Sequence, residues 1–321
     1  MEIGGYFELE RNESEIYHKG ALQINSGRNC LRLLIREKKI KRIFLPYFVC
    51  GAVIEACRKE RCHIIFYHIN CKFHIAELPE CFKKNKDYLF IINYCGLLSE
   101  EVILSYKEKY RNIILDNTQA FFVKPILEVD TIYSCRKFFG VPDGGYLYLH
   151  KVIESKLEYD NSYDRLQHIV GRFEIGAEPF FDKYRENETI IDDLDVKYMS
   201  RLTDNMLRGI DYFKCLERRR ENYSFLYKKL QQRNKLDLPE VLIGAFAYPF
   251  YVNNGTYIRK RLIENKIFVP QYWKEVLENV SRDDWEYELV NNIIWLPCDQ
   301  RYTIEQMKCI VNKIGEICGD E

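Results

Sequence analysis

The sequence lacks a long apolar run, and it lacks net charge. No stretch reaches the roughly 18 consecutive apolar residues that a membrane-spanning helix needs, and the acidic start MEIGGYFELERNESE has neither the basic nor the apolar region of a signal peptide. Lysine and arginine together number 48, and aspartate and glutamate together also number 48. This balance does not favour nucleic acid or an acidic membrane as a partner. We therefore expect a cytoplasmic protein that binds neither of them.

Paired cysteine spacings are also missing. The 12 cysteines include no CxxC pair and no regular framework, so the sequence predicts neither a metal site nor a disulfide scaffold. In a reducing compartment, most of them are expected to be buried free thiols. Internal repeats and low-complexity segments are absent as well. The remaining composition, 47% hydrophobic and 30% charged over 321 residues, is typical of a globular protein with a sizeable core.

Short apolar runs alternate with amphipathic charged segments between residues 25 and 150. The strand-like runs are RIFLPYF, HIIFYHI, DYLFIINYCG, NIILDNTQAFF, VDTIYSC and GGYLYLH. Between them, NCLRLLIREKKI, CGAVIEACRKERC and EEVILSYKEKY have apolar residues at helical spacing. The alternation predicts an α/β fold with right-handed crossovers and a mostly parallel central sheet flanked by helices. Ligands of such sheets bind at the carboxyl ends of the strands.

The second half of the chain predicts a helical connection and a small C-terminal α+β domain. Residues 152–201 are polar and acidic and are interpreted as a surface excursion or an intersubunit segment. Residues 202–232 predict one or two long helices, with the basic run Arg218, Arg219 and Arg220 on a solvated face. Strands are then predicted in AFAYPFYV, IFVPQYW and IIWLPCD, and helices in YIRKRLIENK and IEQMKCIVNKIGEI. We place the large domain at residues 1–215 and the small domain at 216–321.

Two loops of the large domain carry candidate binding residues. Ser26, Gly27 and Arg28 stand at the start of a predicted helix, where free N–H groups and the helix dipole can hold a phosphate. Asp116 ends a strand of apolar residues, and Gln119 follows three residues later. A carboxylate at the end of a buried strand needs a partner, such as a protonated ring nitrogen. Each loop alone also fits an ordinary structural role, a helix N-cap or an Asx turn.

A third loop, YSCRKFFGVPDGG at 133–145, contains Lys137 three residues after Ser134 and before a tight glycine return. A partly desolvated lysine at such a strand edge is a candidate amine nucleophile for Schiff-base chemistry, although a surface lysine beside a turn has the same pattern. The order of the three loops matches the needs of pyridoxal phosphate. Its phosphate needs N–H groups and hydroxyls, its ring nitrogen a carboxylate, and its aldehyde an amine.

Several of these segments resemble motifs of the DegT/DnrJ/EryC1/StrS family of sugar aminotransferases, which are fold-type I pyridoxal-phosphate enzymes. LDNTQA at 115–120 resembles the family's Glu-Asp-x-x-Gln-x pattern, and NYCG at 93–96 its His/Tyr-x-Gly. FLPYF at 44–48 resembles its strand with proline, and SGR at 26–28 its helix start. Residues 199–220 resemble its later segment, in which a methionine precedes a long helix and an arginine cluster.

The resemblance implies a role for each loop residue. Lys137 would bind the cofactor covalently and move protons, Asp116 would pair with the pyridine nitrogen, and Gln119 would face the ring oxygen. Tyr94 or Phe48 would stack on the ring, because the usual position of the stacking aromatic holds a cysteine. The implied phosphate ligands are Ser26, Gly27, Arg28 and Ser134.

The activity implied is a transamination. The amino group of glutamate would pass to a keto group of a nucleotide-linked sugar, as in polysaccharide biosynthesis, and a homodimer is expected. Two alternatives stay open. One is a pyridoxal-phosphate enzyme of other chemistry, such as a dehydratase, although family members that dehydrate lack the lysine. The other is a binding protein that has kept the fold and lost its chemistry.

Overall fold

The computed structural model describes residues 3–150 and 155–319. Eight strands form one sheet: β1 Leu22–Ile24, β2 Arg42–Pro46, β3 His63–Ile69, β4 Ile75–Glu77, β5 Tyr88–Ile92, β6 Ile113–Asp116, β7 Asp130–Ser134 and β8 Gly145–Tyr148. In the described part of the chain their order is β1-β8-β7-β6-β5-β2-β3-β4. Strands β2, β3, β5, β6 and β7 are parallel, whereas β8 runs antiparallel to β7 and β4 antiparallel to β3.

This architecture confirms the predicted mostly parallel sheet. The two strands that were not predicted, β1 and β4, are each three residues long, too short for a hydrophobic period to be visible. The predicted helices between the strands are α1 Gly27–Lys38, α2 Gly51–Lys59 and α3 Glu100–Tyr110. Of the 12 cysteines, none forms a disulfide among the described residues, and six are buried, two half-buried and four exposed, so fewer are buried than the sequence predicted.

The acidic segment after the sheet contains α4 Gln167–Glu174 and α5 Phe181–Asp193, whereas residues 152–154 of that segment lie outside the described residues. The long helical stretch is divided into α6 Arg201–Arg208 and α7 Tyr212–Leu230. The division falls at Gly209 and Asp211. The Asp211 side chain caps α7 by accepting a hydrogen bond from the N–H of Lys214 at 2.9 Å.

The C-terminal part contains β9 Tyr248–Tyr251, α8 Gly255–Glu264, α9 Trp285–Asn292, β10 Ile293–Leu296 and α10 Ile304–Cys318. Strands β9 and β10 pair antiparallel with each other. The strand predicted in IFVPQYW, residues 267–273, is wrong. Pro270 has no N–H to give to a ladder, and Trp273 has a left-handed backbone with φ of 56° before a 3-10 turn. Helix α10 begins with the capping box of Thr303 and Gln306.

One apolar core joins the sheet to the C-terminal part, because Phe44 and Leu115 of the sheet belong to the same cluster as Leu226, Phe250 and Met307. The predicted domain boundary between residues 215 and 216 falls inside α7, and the division into domains stays a prediction. In the described residues, no helix has the length and apolar composition to cross a bilayer.

Candidate active site

The sheet topology brings all three loops to the same end of the sheet, at the carboxyl ends of the parallel strands. β6 ends at Asp116, which pairs with Ile132 of β7, and β7 ends at Ser134, which pairs with Gly145 of β8. Gly145 in turn pairs with Ile24 at the end of β1. The chain segments that follow these strand ends therefore leave the sheet at the same side, which is where ligands bind in open α/β sheets.

The start of α1 fits closely against the neighbouring strands. A Cβ atom at Gly145 would lie 2.7 Å from the carbonyl carbon of Ser26 and 2.8 Å from the nitrogen of Gly27, so only glycine allows this approach. A Cβ atom at Gly27 would lie 3.3 Å from Cγ2 of Thr118 and 3.6 Å from Cβ of Ser134. The helix N-terminus thus faces two hydroxyl-bearing side chains.

Ser26 also has the ordinary structural role that its sequence allowed. It is buried, and its hydroxyl caps α1 by accepting a hydrogen bond from the N–H of Asn29 at 3.2 Å. The hydroxyl proton remains available to donate to an anion, because a serine hydroxyl both donates and accepts. A cap and a phosphate ligand are therefore compatible functions for this residue.

Asp116 is a buried carboxylate that forms no ion pair with any described residue. Its side chain is 4% exposed, and Oδ1 accepts a hydrogen bond from the N–H of Thr118 at 2.8 Å, which is the geometry of an Asx turn. Burial raises the pKa of Asp116, while the positive charge of Lys137 and the hydrogen bonds of Thr118 oppose that rise. A cationic partner would relieve the cost of this buried charge.

Lys137 lies at the open side of the same cluster. Its Nζ donates a hydrogen bond to Oγ1 of Thr118 at 2.9 Å, and its side chain is exposed. The residue as a whole is exposed on a turn at the rim of the sheet, whereas its hydrogen bond to Thr118 is partly buried, so the partial desolvation of the amine stays a prediction. Thr118 connects this lysine with Asp116. Its hydroxyl accepts the hydrogen bond from Lys137, and its N–H donates a hydrogen bond to the carboxylate of Asp116.

Gln119 and Tyr94 are directed into the protein interior. Oε1 of Gln119 accepts a hydrogen bond from the N–H of Cys95 at 3.2 Å, and the side chain is 2% exposed. The Tyr94 hydroxyl donates to the carbonyl of Phe48 at 2.5 Å, and its ring packs against Phe48 and Phe73. The structure places the Tyr94 ring in the core rather than on an open surface, so it offers no free face to a ligand.

Two arginines beside the cluster are paired with carboxylates of α5. Arg28 contacts Asp192, and Arg136 contacts Glu188. Burial lowers the pKa of Arg28, and it lowers the pKa of Arg136 to about 10. The acidic face of α5 therefore lies over the positive charges of this edge. The pairing of Arg28 means that any phosphate it binds has to compete with Asp192.

The sequence assigned no role to Thr118, although it stands inside a candidate loop, and it expected Arg136 only as a positive charge close to Lys137. The signal for Thr118 was its position two residues after Asp116, where an Asx turn directs the N–H back to the carboxylate. The sequence also assigned no role to Asp143. This buried carboxylate accepts hydrogen bonds from the N–H and hydroxyl of Ser200 at 2.9 and 3.0 Å, which fixes the glycine return to the start of α6.

The comparisons with known proteins agree on the fold. No family model and no curated protein matches the sequence. Among solved structures, a DegT/DnrJ/EryC1/StrS aminotransferase from Brucella abortus superposes with a TM-score of 0.65 at 13% identity, covering 95% of this chain and 87% of that chain. The sugar aminotransferase CalS13 from Micromonospora echinospora gives 0.61 at 14% identity, with 92% and 87% covered. Spr1654 from Streptococcus pneumoniae in its PLP-form gives 0.62 at 12% identity, with 92% and 86% covered.

These likenesses show that the chain has the fold of the sugar aminotransferases, as its motifs predicted. At such identities, a shared fold does not by itself carry a shared reaction. The residues of the site fit pyridoxal phosphate. The buried Asp116 forms no ion pair among the described residues, the side chains of Thr118 and Ser134 lie against the start of α1, and the exposed residue Lys137 donates a hydrogen bond to Thr118. This set of groups fits a cofactor with a ring nitrogen, a phosphate and an aldehyde.

Proposed function

We propose that the protein is a pyridoxal-phosphate-dependent aminotransferase that moves an amino group from glutamate to a keto group of a nucleotide-linked sugar. One observation carries the proposal. Thr118 connects the amine of Lys137 with the buried carboxylate of Asp116, through hydrogen bonds of 2.9 and 2.8 Å. A lysine, a buried acid and a helix N-terminus at one sheet edge have no common structural purpose.

Pyridoxal phosphate, when bound, supplies an aldehyde that condenses with amines and a protonated ring that withdraws electrons from the reacting carbon. Within this proposal, Asp116 would keep the ring nitrogen protonated, because its buried carboxylate forms no ion pair among the described residues. The start of α1, with Ser26, Gly27 and Ser134, binds the phosphate, and Arg28 joins them if Asp192 releases it. Gln119 would face the ring oxygen, for which its side chain has to leave the N–H of Cys95.

Lys137 has two tasks in this proposal. Its amine would hold the cofactor through the aldehyde carbon, and the free amine would act as the base that accepts the proton of the donor's α-carbon and gives it back. Thr118 orients the amine for both tasks by accepting its hydrogen bond. Exposure of the lysine at the rim suits this role, because the donor and the sugar have to reach the same atom.

The substrate class rests on the structural neighbours, among which CalS13 is a sugar aminotransferase. A nucleotide-linked sugar and glutamate are accordingly the substrates to test first. A cytoplasmic location and a role in polysaccharide biosynthesis belong to the same proposal. Twelve cysteines without a disulfide among the described residues are consistent with a reducing compartment.

We also propose that the active form is a homodimer. The segment that contains α4 and α5 carries large apolar side chains on its outside, and Phe173 and Ile175 are 88% and 72% exposed. Apolar surface of this kind marks an interaction site when it is contiguous. The same segment contacts Arg28 and Arg136, so a partner seated on it would lie next to the proposed active site.

The proposal is tested by visible absorbance of the purified protein with added pyridoxal phosphate, before and after borohydride. We expect an absorption band that borohydride converts into a covalent adduct on Lys137, identified by peptide mass spectrometry. Lys137→Ala should abolish the adduct, whereas Lys72→Ala, a change of an exposed lysine outside the site, should leave it unchanged. Addition of glutamate should bleach the band and release a 2-oxo acid.

Each part of the test can contradict the proposal separately. An adduct without any glutamate-dependent bleaching would favour a pyridoxal-phosphate enzyme of other chemistry. Equal labelling of wild type and Lys137→Ala would favour a protein that has kept the fold and lost the reaction.

A further inference from the structure

A buried arginine of α7 lies under the lysine loop. Arg219 is 1% exposed, so the prediction of a solvated basic run is wrong for this residue. Its neighbour Arg218 lies within 3.6 Å of Glu221, and Arg220 lies 2.7 Å from Glu217, at the surface. The helical period explains the difference, because one residue of three adjacent ones faces the core while the flanking two do not.

The Arg219 guanidinium is held by neutral groups around Phe138. Its Nε donates to Oε1 of Gln300 at 2.6 Å, and a terminal nitrogen donates to the carbonyl of Ala245 at 2.8 Å. The guanidinium carbon lies 4.4 Å from the centroid of the Phe138 ring. This distance gives a cation–π contact in a desolvated place, where such contacts are strongest.

Gln300 completes the connection to the lysine loop. Its Nε2 donates a hydrogen bond to the carbonyl of Phe138 at 2.7 Å, and Phe138 directly follows Lys137 in the chain. The ring and the carbonyl of one loop residue are therefore both held by the C-terminal part. Within the loop, the N–H groups of Phe138 and Phe139 donate to the carbonyl of Cys135 at 3.0 and 2.9 Å. The turn that carries the lysine is thus held by its own hydrogen bonds and by the C-terminal part.

Stability alone does not explain why an arginine is buried here, because burying its charge is costly. Burial lowers the pKa of Arg219, and the nearby carboxylate of Asp299 is engaged by Arg301 through hydrogen bonds of 2.7 and 2.8 Å. Arg219 forms no ion pair among the described residues. An apolar side chain of similar volume would fill the same space without the cost of burying a charge. The directional bonds of the guanidinium and of Gln300 are what an apolar residue cannot supply.

We infer that Arg219 and Gln300 are positioning residues that hold Phe138 and thereby fix the turn from which the Lys137 amine reaches Thr118. The inference rests on the proposed role of Lys137 in the reaction. It also ties the C-terminal part of the chain to the site, because both positioning residues lie beyond residue 215. A shift of that part is transmitted to the lysine through two hydrogen bonds and one ring contact.

The variant Gln300→Glu separates positioning from folding. A glutamate at 300 still accepts the hydrogen bond of Arg219, and pairs with its charge, but its carboxylate cannot donate to the Phe138 carbonyl and repels it. Gln231→Glu, an exposed change at the end of α7, is the matched control. Two readouts need no cofactor: hydrogen exchange at the Phe138 and Phe139 amides, and acetylation of Lys137 by limiting acetic anhydride, followed by peptide mass spectrometry across pH.

We expect hydrogen exchange of the two loop amides to increase on the order of 10-fold in Gln300→Glu, as loss of one hydrogen bond predicts. The pH profile of Lys137 acetylation should change, while the melting temperature stays at or above that of the control. Arg219→Met, which keeps the volume without the donors, should give the same loop response with the fold intact. If either variant folds fully and leaves both loop readouts unchanged, the inference is overturned.

Failure of the inference is distinguishable from failure of the proposed function. A borohydride-fixed adduct on Lys137 together with an unchanged loop in Gln300→Glu would uphold the function and reject the positioning pair. A changed loop without any adduct in the wild type would uphold the structural link and reject the reaction, and with it the catalytic meaning of the pair.

Discussion

At the scale of single residues, the surroundings of Asp116 stabilise its carboxylate poorly in the ligand-free protein, and a cationic ligand group would stabilise it better. Burial raises its pKa because the charged form is poorly solvated there. In the unfolded chain the same carboxyl ionises at its ordinary pKa. Above the folded pKa the buried charge is a constant electrostatic cost, and stability increases as the pH falls through the folded pKa towards the lower pKa of the unfolded chain.

Asp116→Asn should therefore have opposite effects with and without cofactor. Without pyridoxal phosphate, we expect the variant to unfold at a higher urea concentration at pH 7 than wild type, because the buried charge is gone. With the cofactor present, its dissociation constant should increase by a factor equivalent to about 3 kcal/mol, the usual cost of removing one partner of a buried pair. A variant that is less stable than wild type without the cofactor would contradict this account of Asp116.

The residues that the sequence could predict are those whose neighbours define a turn. Lys137 stands before two glycines, and Asp116 ends an apolar run, so both loops were visible from local pattern. Arg219 could not be found in this way, because three consecutive arginines look alike until the helix phase and the partner Gln300, 81 residues away, are known. The direction of Tyr94 into the core likewise depends on contacts that no local pattern contains.

At the scale of elements, the segment before β1 is fastened to the loop that follows Gln119. The Tyr17 hydroxyl donates to the carbonyl of Phe122 at 3.0 Å, and Nε2 of the fully buried His18 lies 2.7 Å from the carbonyl of Phe121. The geometry requires Nε2 to carry the proton. Burial lowers the pKa of His18 to about 3, with a smaller effect of Lys124 in the same direction.

This histidine predicts a pH-dependent stability. Because the unfolded chain takes up a proton near pH 6.5 and the folded chain does not, the stability is fully present above pH 6.5 and is lost as the pH falls. From pH 7 to pH 5 the free energy of unfolding should decrease by about 2 kcal/mol from His18 alone. In urea titrations at both pH values, His18→Gln should remove that part of the decrease. Equal pH dependence in the two proteins would show that His18 is protonated in the folded state.

Elements with a strong hydrophobic period were predictable, and elements defined by long-range pairing were not. Strands β2, β3 and β5 and helices α1 to α3 follow their apolar patterns. The run IFVPQYW has the composition of a strand, but Pro270 and the left-handed Trp273 prevent a ladder there. Helices α4 and α5 have mixed faces whose apolar side chains point outward, so a pattern based on burial in one chain could not show them.

At the scale of the whole molecule, that outward apolar face leads to the prediction of self-association. We expect sedimentation velocity to show a dimer at micromolar concentration, since large exposed aromatic residues at a contact centre contribute about 2 kcal/mol or more. Phe173→Glu should weaken the dimer on the order of 30-fold by placing a charge in the contact. The control Phe213→Glu changes a phenylalanine that is 75% exposed on α7, outside the α4–α5 segment, and should leave the dimer intact.

The dimer prediction also connects to the active site, which gives it a second readout. Because α5 contacts Arg28 and Arg136, loss of the partner should loosen α5 and change the apparent affinity for pyridoxal phosphate together with the dimer population. We therefore expect cofactor affinity to depend on protein concentration in Phe173→Glu and to be independent of it in Phe213→Glu. A monomeric wild type, or equal association of both variants, would mean that the apolar face of α4 and α5 serves another partner.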